Sequence, residues 1–467
     1  MKRMIKISVI IVAVLIVTYY LVVFVMPKYD SMYVPADEYR QKNSINIQYD
    51  EEGVRGLSKA VQGIKGTYFV YKSRVMFMGD AEEKISEVCK MPSDIVGILE
   101  KDDTVFLRKY DDVEGIYRAY AEGEAQRLID DPGTVYMEGD NIYTLSKKNG
   151  LRKYDFNGEK KSENNKGNYY NTNITIFGDY ILLSSIENND IYVNVPQYYK
   201  FDTNKIKYRK YKVNFSRYYL EPEEWNSYRR EDVINYDDLA KEVDEEVRAG
   251  GVYNQVNGKN LDNYELQSIE LSVWNFSDEV DGYIYIYGNQ KITYLDKEYK
   301  RKSEEMTLEE QYSDEDKENF TCEINVKAVF RISVDDIKNS SNETYVNYER
   351  VSKSPDILGD WSRFIVNNKN VYVINEDKYT DKEDRNLYIY SIDIDTGLNK
   401  EVYKKKRLFL GNESPEIFAT DKYIFIYEYG DYGEKQCITR INRDGSNAVL
   451  VIDENGEIAM QPVEPAQ

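Results

Sequence analysis

The stretch at residues 421–453, DKYIFIYEYGDYGEKQCITRINRDGSNAVLVID, limits the possible folds more than any other. Tyr423, Phe425 and Tyr427 alternate with Ile424, Ile426 and Glu428, so both faces of this run are largely covered, as in a strand inside a sheet. Ile438, Arg440 and Asn442 alternate with Cys437, Thr439 and Ile441 in a second run. Asp444-Gly445 then supplies the positive φ angles of a tight hairpin, and Ala448 to Ile452 reads as a third strand. This order is three-quarters of a four-stranded antiparallel blade.

The same order recurs along the chain. It is read at 66–80, 104–128, 141–161, 179–211, 269–351 and 362–403, with Asn149-Gly150 and Asn157-Gly158 as paired hairpin signals in the third copy. Tyr-rich strands begin near Val75, Val105, Ile142, Ile181, Ile284, Val371 and Ile424. Uninterrupted intervals of roughly 30–40 residues suit one blade each. The expectation is an all-β chain, a β-propeller of about seven four-stranded blades over 62–453.

Three segments break the rhythm. Residues 27–61 read as a polar stalk, with 46–50 (NIQYD) a weak strand that helps close the ring. Residues 214–267 form a partly helical insertion, because Leu239, Val243 and Val247 recur every four residues between Asp237-Asp238 and Gly250-Gly251. Laid on the rim or a face, it either decorates the ring or covers the central opening. Residues 297–327 form a second, charged insertion, opening on a candidate hairpin at 291–302. A mobile tail is expected from Glu454 to Gln467.

Before the stalk, residues 7–26 run twenty positions without a charge, enough for a helix to cross about 30 Å of hydrocarbon. Lys2, Arg3 and Lys6 precede them with no acid, which places 1–6 in the cytoplasm and the remainder outside the cell membrane. A cleaved secretory signal is the alternative. The length of the run and the lack of a small-x-small site favour an uncleaved signal anchor embedded in the lipid bilayer.

The whole chain carries 62 basic and 83 acidic residues. That balance opposes nucleic acid as a partner. Tyr is over-represented at 45 copies against 15 Phe, which fits half-buried pleated surfaces, with sugar stacking as the sharper alternative. Three separated cysteines, Cys89, Cys322 and Cys437, form no disulfide framework and read as small buried apolar residues.

With no histidine, Ser-His-Asp and Cys-His mechanisms and histidine-ligated metals are excluded. No phosphate loop or EF-hand motif is present, so no cofactor is expected and no residue is assigned a catalytic, cofactor or metal role. Asp377, Asp381 and Asp384 in 375–386 have the oxygen chemistry for calcium, but read first as a solvated hairpin loop. Asp155, Asp202, Asp393, Asp395 and Asp444 sit where strands enter turns and are expected to accept backbone N–H bonds there.

The segments FRISVDD (330–336), IYSIDIDTG (389–397) and TRINRDGSN (439–447) resemble the second half of the YWTD repeat of low-density-lipoprotein-receptor propellers. They are closer still to a group of bacterial extracytoplasmic β-propellers similar to it. The tetrad itself is replaced by YIFI, VYVI and YIYI, so no calcium or receptor-ligand residue carries over. The resemblance implies a propeller fold and a habit of binding. The resulting expectation is a membrane-anchored, non-catalytic binding module for a protein or glycan of the cell envelope. A carboxylate-dependent glycosidase or lyase, with acids and Tyr converging in the central pocket, is the alternative.

Overall fold

The computed structural model describes residues 17–19, 33–35, 55–164, 174–219, 237–249, 261–299 and 320–463, apart from short intervals within these ranges. Seven antiparallel sheets of four or more strands follow one another in chain order, spanning 60–90, 95–129, 134–164, 174–212, 264–350, 363–406 and 416–462. They are numbered here as blades 1 to 7.

Strand periodicity dictates how the blades pack. Ile284 and Ile286 face blade 4, whereas Tyr285 and Tyr287 face blade 6. Val371 and Val373 face blade 5, and Tyr372 and Ile374 face blade 7. Ile424 and Ile426 look back to blade 6, and Phe425 and Tyr427 meet Phe69 and Met76 of blade 1. Alternate residues of one strand thus feed two different cores. Seven such cores join seven sheets, and the last joins blade 7 to blade 1, so the ring is closed. Many of the described tyrosines serve this packing. Tyr68, Tyr136, Tyr143, Tyr180, Tyr294, Tyr372 and Tyr427 are all buried.

The inner strands are Ala60–Gln62, Ile95–Lys101, Thr134–Glu138, Ile174–Phe177, Tyr264–Val280, Arg363–Asn367 and Glu416–Ala419. Four antiparallel strands return the chain to the face it left, so every inner strand begins on one face and ends on the other. On the second, the turn face, inner strands reverse within two or three residues: Asp102 and Asp103 both have positive φ, as do Asp281 and Gly282. On the first, the loop face, are the strand ends joined by the connections 213–263, 297–320 and 351–362. A longer connection, opening on a short helix, also leaves the turn face between Ser333 and Glu349 of blade 5.

Blade 5 rises above that loop face. Its strands Tyr264–Val280, Tyr283–Asp296 and Thr321–Ser333, of 17, 14 and 13 residues, are the longest described. Helix α1 (Asp237–Arg248) packs Ala240, Val243 and Val247 onto Leu266, Ile269, Ile292 and Tyr294 on the blade-4 side of this tower. The expected helix exists, and the described part of its insertion leans on blade 5; the Leu239 side chain lies outside the described residues. A short second helix, α2 (Val334–Lys338), follows the third strand of blade 5 and is capped by Ser333 Oγ.

Several boundaries move. Residues 291–296 do not form a hairpin but continue the second strand of blade 5. The second insertion ends before Thr321: Cys322, Ile324 and Val326 are buried between Glu323, Asn325 and Lys327, an alternation obscured by the surrounding charge. Val75 lies in the third strand of its blade, because the second, Gly66–Tyr71, is equally apolar and the inner strand Ala60–Gln62 is too short to register. That inner strand also places 60–61 inside blade 1 rather than in a stalk. The tail contributes a fifth strand to blade 7, Ile458–Pro462, paired with Val449–Ile452. Residues 46–50 and 7–26 lie outside the described residues, save that Val17, Thr18 and Tyr19 are helical and exposed. Among the described residues no helix is long and apolar enough to cross a membrane.

Candidate functional site at the axis and the seams

The axis is occupied by the chain itself. Arg55 and Gly56 pair antiparallel with Met137 and Tyr136 of the inner strand of blade 3. Because that strand runs from the loop face to the turn face, residues 55–56 run the opposite way, entering from the turn face. Strand Tyr33–Pro35 pairs with Gln197–Tyr199, the part of blade 4 that projects below its second strand on the same side. Ser58 then exchanges both backbone hydrogen bonds with Ile98 of blade 2, and the chain turns into blade 1.

Asp278, on the inner strand of blade 5, meets this segment. Its Oδ2 accepts the Gly56 N–H at 3.1 Å and its Oδ1 accepts Thr175 Oγ1–H of blade 4 at 3.2 Å. The residue keeps some accessible surface, yet protein surrounds the carboxyl, and that desolvation outweighs both hydrogen bonds, raising its pKa. Burial, with Asp278 nearby, likewise pushes the Tyr136 hydroxyl up.

A polar cluster closes the seam between blades 7 and 1. Lys59 Nζ lies 3.0 Å from Glu416 Oε2, Tyr429 OH donates to the same oxygen at 2.7 Å, and Tyr427 OH donates to the Lys59 carbonyl at 2.9 Å. Burial first, then the Glu416 charge, raises the Tyr429 hydroxyl. A second, drier cluster lies between blades 6 and 7. Lys405 and Glu428 pair there with side chains 3% and 1% exposed, Glu428 Oε1 accepts the Leu408 N–H at 2.9 Å, and Arg407 meets Glu376 at 3.0 Å.

On the turn face an open cleft of about 380 Å³ lies at the foot of blades 6 and 7, lined by Tyr372, Ser391, Asp393, Lys400, Arg443 and Asp444 among others. Its groups are mostly committed internally. Arg443 donates to Tyr372 OH and to the carbonyls of Asn367 and Asp421, and Ser391 donates to Asn370. The cleft is a braced seam more than a prepared ligand site.

Three of the turn aspartates, Asp155, Asp393 and Asp444, accept bonds as expected. Asp155 accepts the N–H of Asn157 and Glu159, Asp393 accepts Thr396 N–H and Oγ1–H, and Asp444 accepts Ser446 N–H and Oγ–H. Asp395 lends its own N–H to Asp393. These bonds favour the ionised carboxylates and lower their pKa values. Asp453 does the same in a turn the sequence reading passed over. The Asp202 side chain, and Asp377, Asp381 and Asp384, lie outside the described residues. Cys89, Cys322 and Cys437 are free and buried. Among the described residues no group of three or more acidic or cysteine side chains is placed to hold a metal.

The glycosidase reading asks for acids converging on an open central pocket. Asp278 is tied to Gly56 and Thr175, and Glu416 to Lys59 and Tyr429, while residues 55–58 are bonded along the inner strands of blades 2, 3 and 5. Sequence reasoning missed all of these. The one available signal was Glu428 inside the apolar run YIFIYEY, a charge that demands a buried partner.

No protein-family model matches the sequence, and neither does any curated protein sequence. Similar solved structures include BamB from Moraxella catarrhalis, 9% identical, covering 82% of this chain and 97% of that chain with a TM-score of 0.35. The β-propeller domain of the Trilobed protease from Pyrococcus furiosus is 9% identical over 87% of this chain and 97% of that one, TM-score 0.40, and is described as having an open velcro topology. AztD from Citrobacter koseri is 11% identical over 88% and 85%, TM-score 0.31. The propeller assignment itself stands on the seven sheets and seven cores.

Proposed function

We propose that this chain is a membrane-anchored, extracytoplasmic propeller that binds a protein or envelope component through its loop face, without catalysing a reaction. The observation that carries the reading is the blade 5 tower: its first three strands extend beyond the ring on the loop face, whereas every inner strand reverses within two or three residues on the other. Binding surfaces concentrate where a rigid scaffold presents long connections. The absence of histidine and the occupied axis both argue for binding over turnover. An anchor at 7–26 fits a chain that reaches the ring from the turn face, because the loop face then points away from the bilayer.

Cross-linking in intact cells tests this. Photoreactive residues placed on the tower, at Lys291 or Glu323, are expected to capture an envelope component, and the same probes on the turn face, at Asp102 or Lys422, are not. Capture only from the turn face, or fractionation of the full chain away from membranes, would overturn the proposal.

A further inference from the structure

We infer that residues 55–59 are the clasp that closes the ring, in place of a strand shared between its first and last blades. Blade 1 consists of four consecutive strands beginning at Ala60, and blade 7 of five consecutive strands beginning at Glu416. Among the described residues no strand crosses the seam between them. What does cross it is side-chain packing, such as Phe69 against Phe425 with ring centroids 5.6 Å apart, a few direct polar contacts such as Lys72 N–H to Gln436 Oε1 and Lys422 to Asp80, and the few residues that precede blade 1.

Those residues bind widely separated parts of the ring. Arg55 and Gly56 hold the inner strand of blade 3, and the Gly56 N–H holds Asp278 of blade 5. Ser58 is bonded to Ile98 of blade 2 in both directions, at 3.0 and 2.7 Å. Lys59 reaches Glu416 and Tyr429 of blade 7 through its ammonium, and accepts Tyr427 OH and the Val70 N–H on its carbonyl. One short segment is therefore bonded to blades on both sides of the seam and on the opposite wall of the channel. Parting blade 1 from blade 7 strips Lys59 from its partners, while the bonds at Gly56 and Ser58 keep Lys59 in place. Loosening those two bonds lets the seam breathe. The clasp is also continuous with the chain entering from the turn face, so a pull on that chain loads the Gly56 bonds before it loads the seam.

Hydrogen exchange on the full-length chain, read by mass spectrometry, tests this. Ser58→Pro removes the donor to Ile98, and Asp278→Leu removes the acceptor of Gly56. Each is expected to speed exchange at 66–71 and 423–429 together by about tenfold, the loss of roughly one hydrogen bond. Strand Asn370–Glu376 of blade 6 should keep its rate, and Asp278→Asn, which retains an acceptor, should not speed exchange at the seam. Faster exchange confined to 55–62, or spread evenly over seven blades, overturns the inference. Should a variant fail to fold, the pair Gly56→Cys and Tyr136→Cys, at facing positions, supplies the converse: oxidation should slow exchange at the seam, and equal rates in both redox states refute the clasp.

Discussion

The Lys405–Glu428 pair offers the sharpest test of how the blades are fastened. Both side chains are almost fully enclosed between blades 6 and 7, at 3% and 1% exposure. Lys405 Nζ also lies 3.3 Å from Thr439 Oγ1, and Glu428 Oε1 takes the Leu408 N–H at 2.9 Å. Removing one partner of such a pair leaves a charge that neither water nor protein compensates, at a cost of about 3–5 kcal/mol. Lys405→Met keeps the length of the stem and strands Glu428. Glu428→Gln keeps an acceptor for Leu408 and strands Lys405. Each single variant should lose about 3–5 kcal/mol in urea denaturation followed by circular dichroism, whereas the double variant should return to within about 1–2 kcal/mol of wild type, because no charge is left unpaired. The interaction energy from the cycle, not either single loss, is the informative quantity. Singles within about 1 kcal/mol of wild type, or a double variant whose loss equals the sum of the singles, would refute the claim that the pair is desolvated and coupled.

Other expectations follow from single contacts. Gly445 has φ +86°, and a Cβ there would sit 1.6 Å from the Val402 carbonyl oxygen, so Gly445→Ala should abolish folding or cost more than about 3 kcal/mol in thermal melts. Gly282→Ala, with φ +78° but nothing within 4 Å, should cost only about 1–2 kcal/mol, and equal losses at the two sites would remove backbone collision as the cause. Asp278 titrates above the usual carboxyl range near 4, so the folded state keeps its proton to a higher pH than the unfolded chain. The stability owed to this group therefore falls as pH rises from about 4 through the folded value. Asp278→Asn should match wild type below about pH 4 and exceed it at pH 7, and the opposite trend in denaturation midpoints contradicts the assignment. The turn acids Asp155, Asp393, Asp444 and Asp453 have lowered pKa values and the reverse sign: their stabilisation is present above about pH 4 and lost as pH falls below it. Burial raises the thiols of Cys89 to about 11 and Cys437 to about 12, so neither should react with a disulfide reagent at pH 8 until the protein is unfolded.

What the amino-acid sequence by itself determined is local. Alternation in YIFIYEY, VYVINE and YIYIYG commits each run to a strand covered on both faces, and Asp-Gly and Asn-Gly pairs commit the chain to reverse between them. Such units, too small to bury their faces alone, must stack, so a ring of about seven blades was legible in the sequence, while the exact count came from the sheets themselves. Two kinds of feature were not. Blade 1 was misphased and the tower truncated, because Ala60–Gln62 is too short, and Glu323–Lys327 too charged, for a windowed pattern to show a strand. The clasp, the Lys59–Glu416–Tyr429 cluster and the Lys405–Glu428 pair join residues tens to hundreds of positions apart. Their identity depends on which side chains the closed ring brings face to face, a property of its tertiary geometry and of no segment within it.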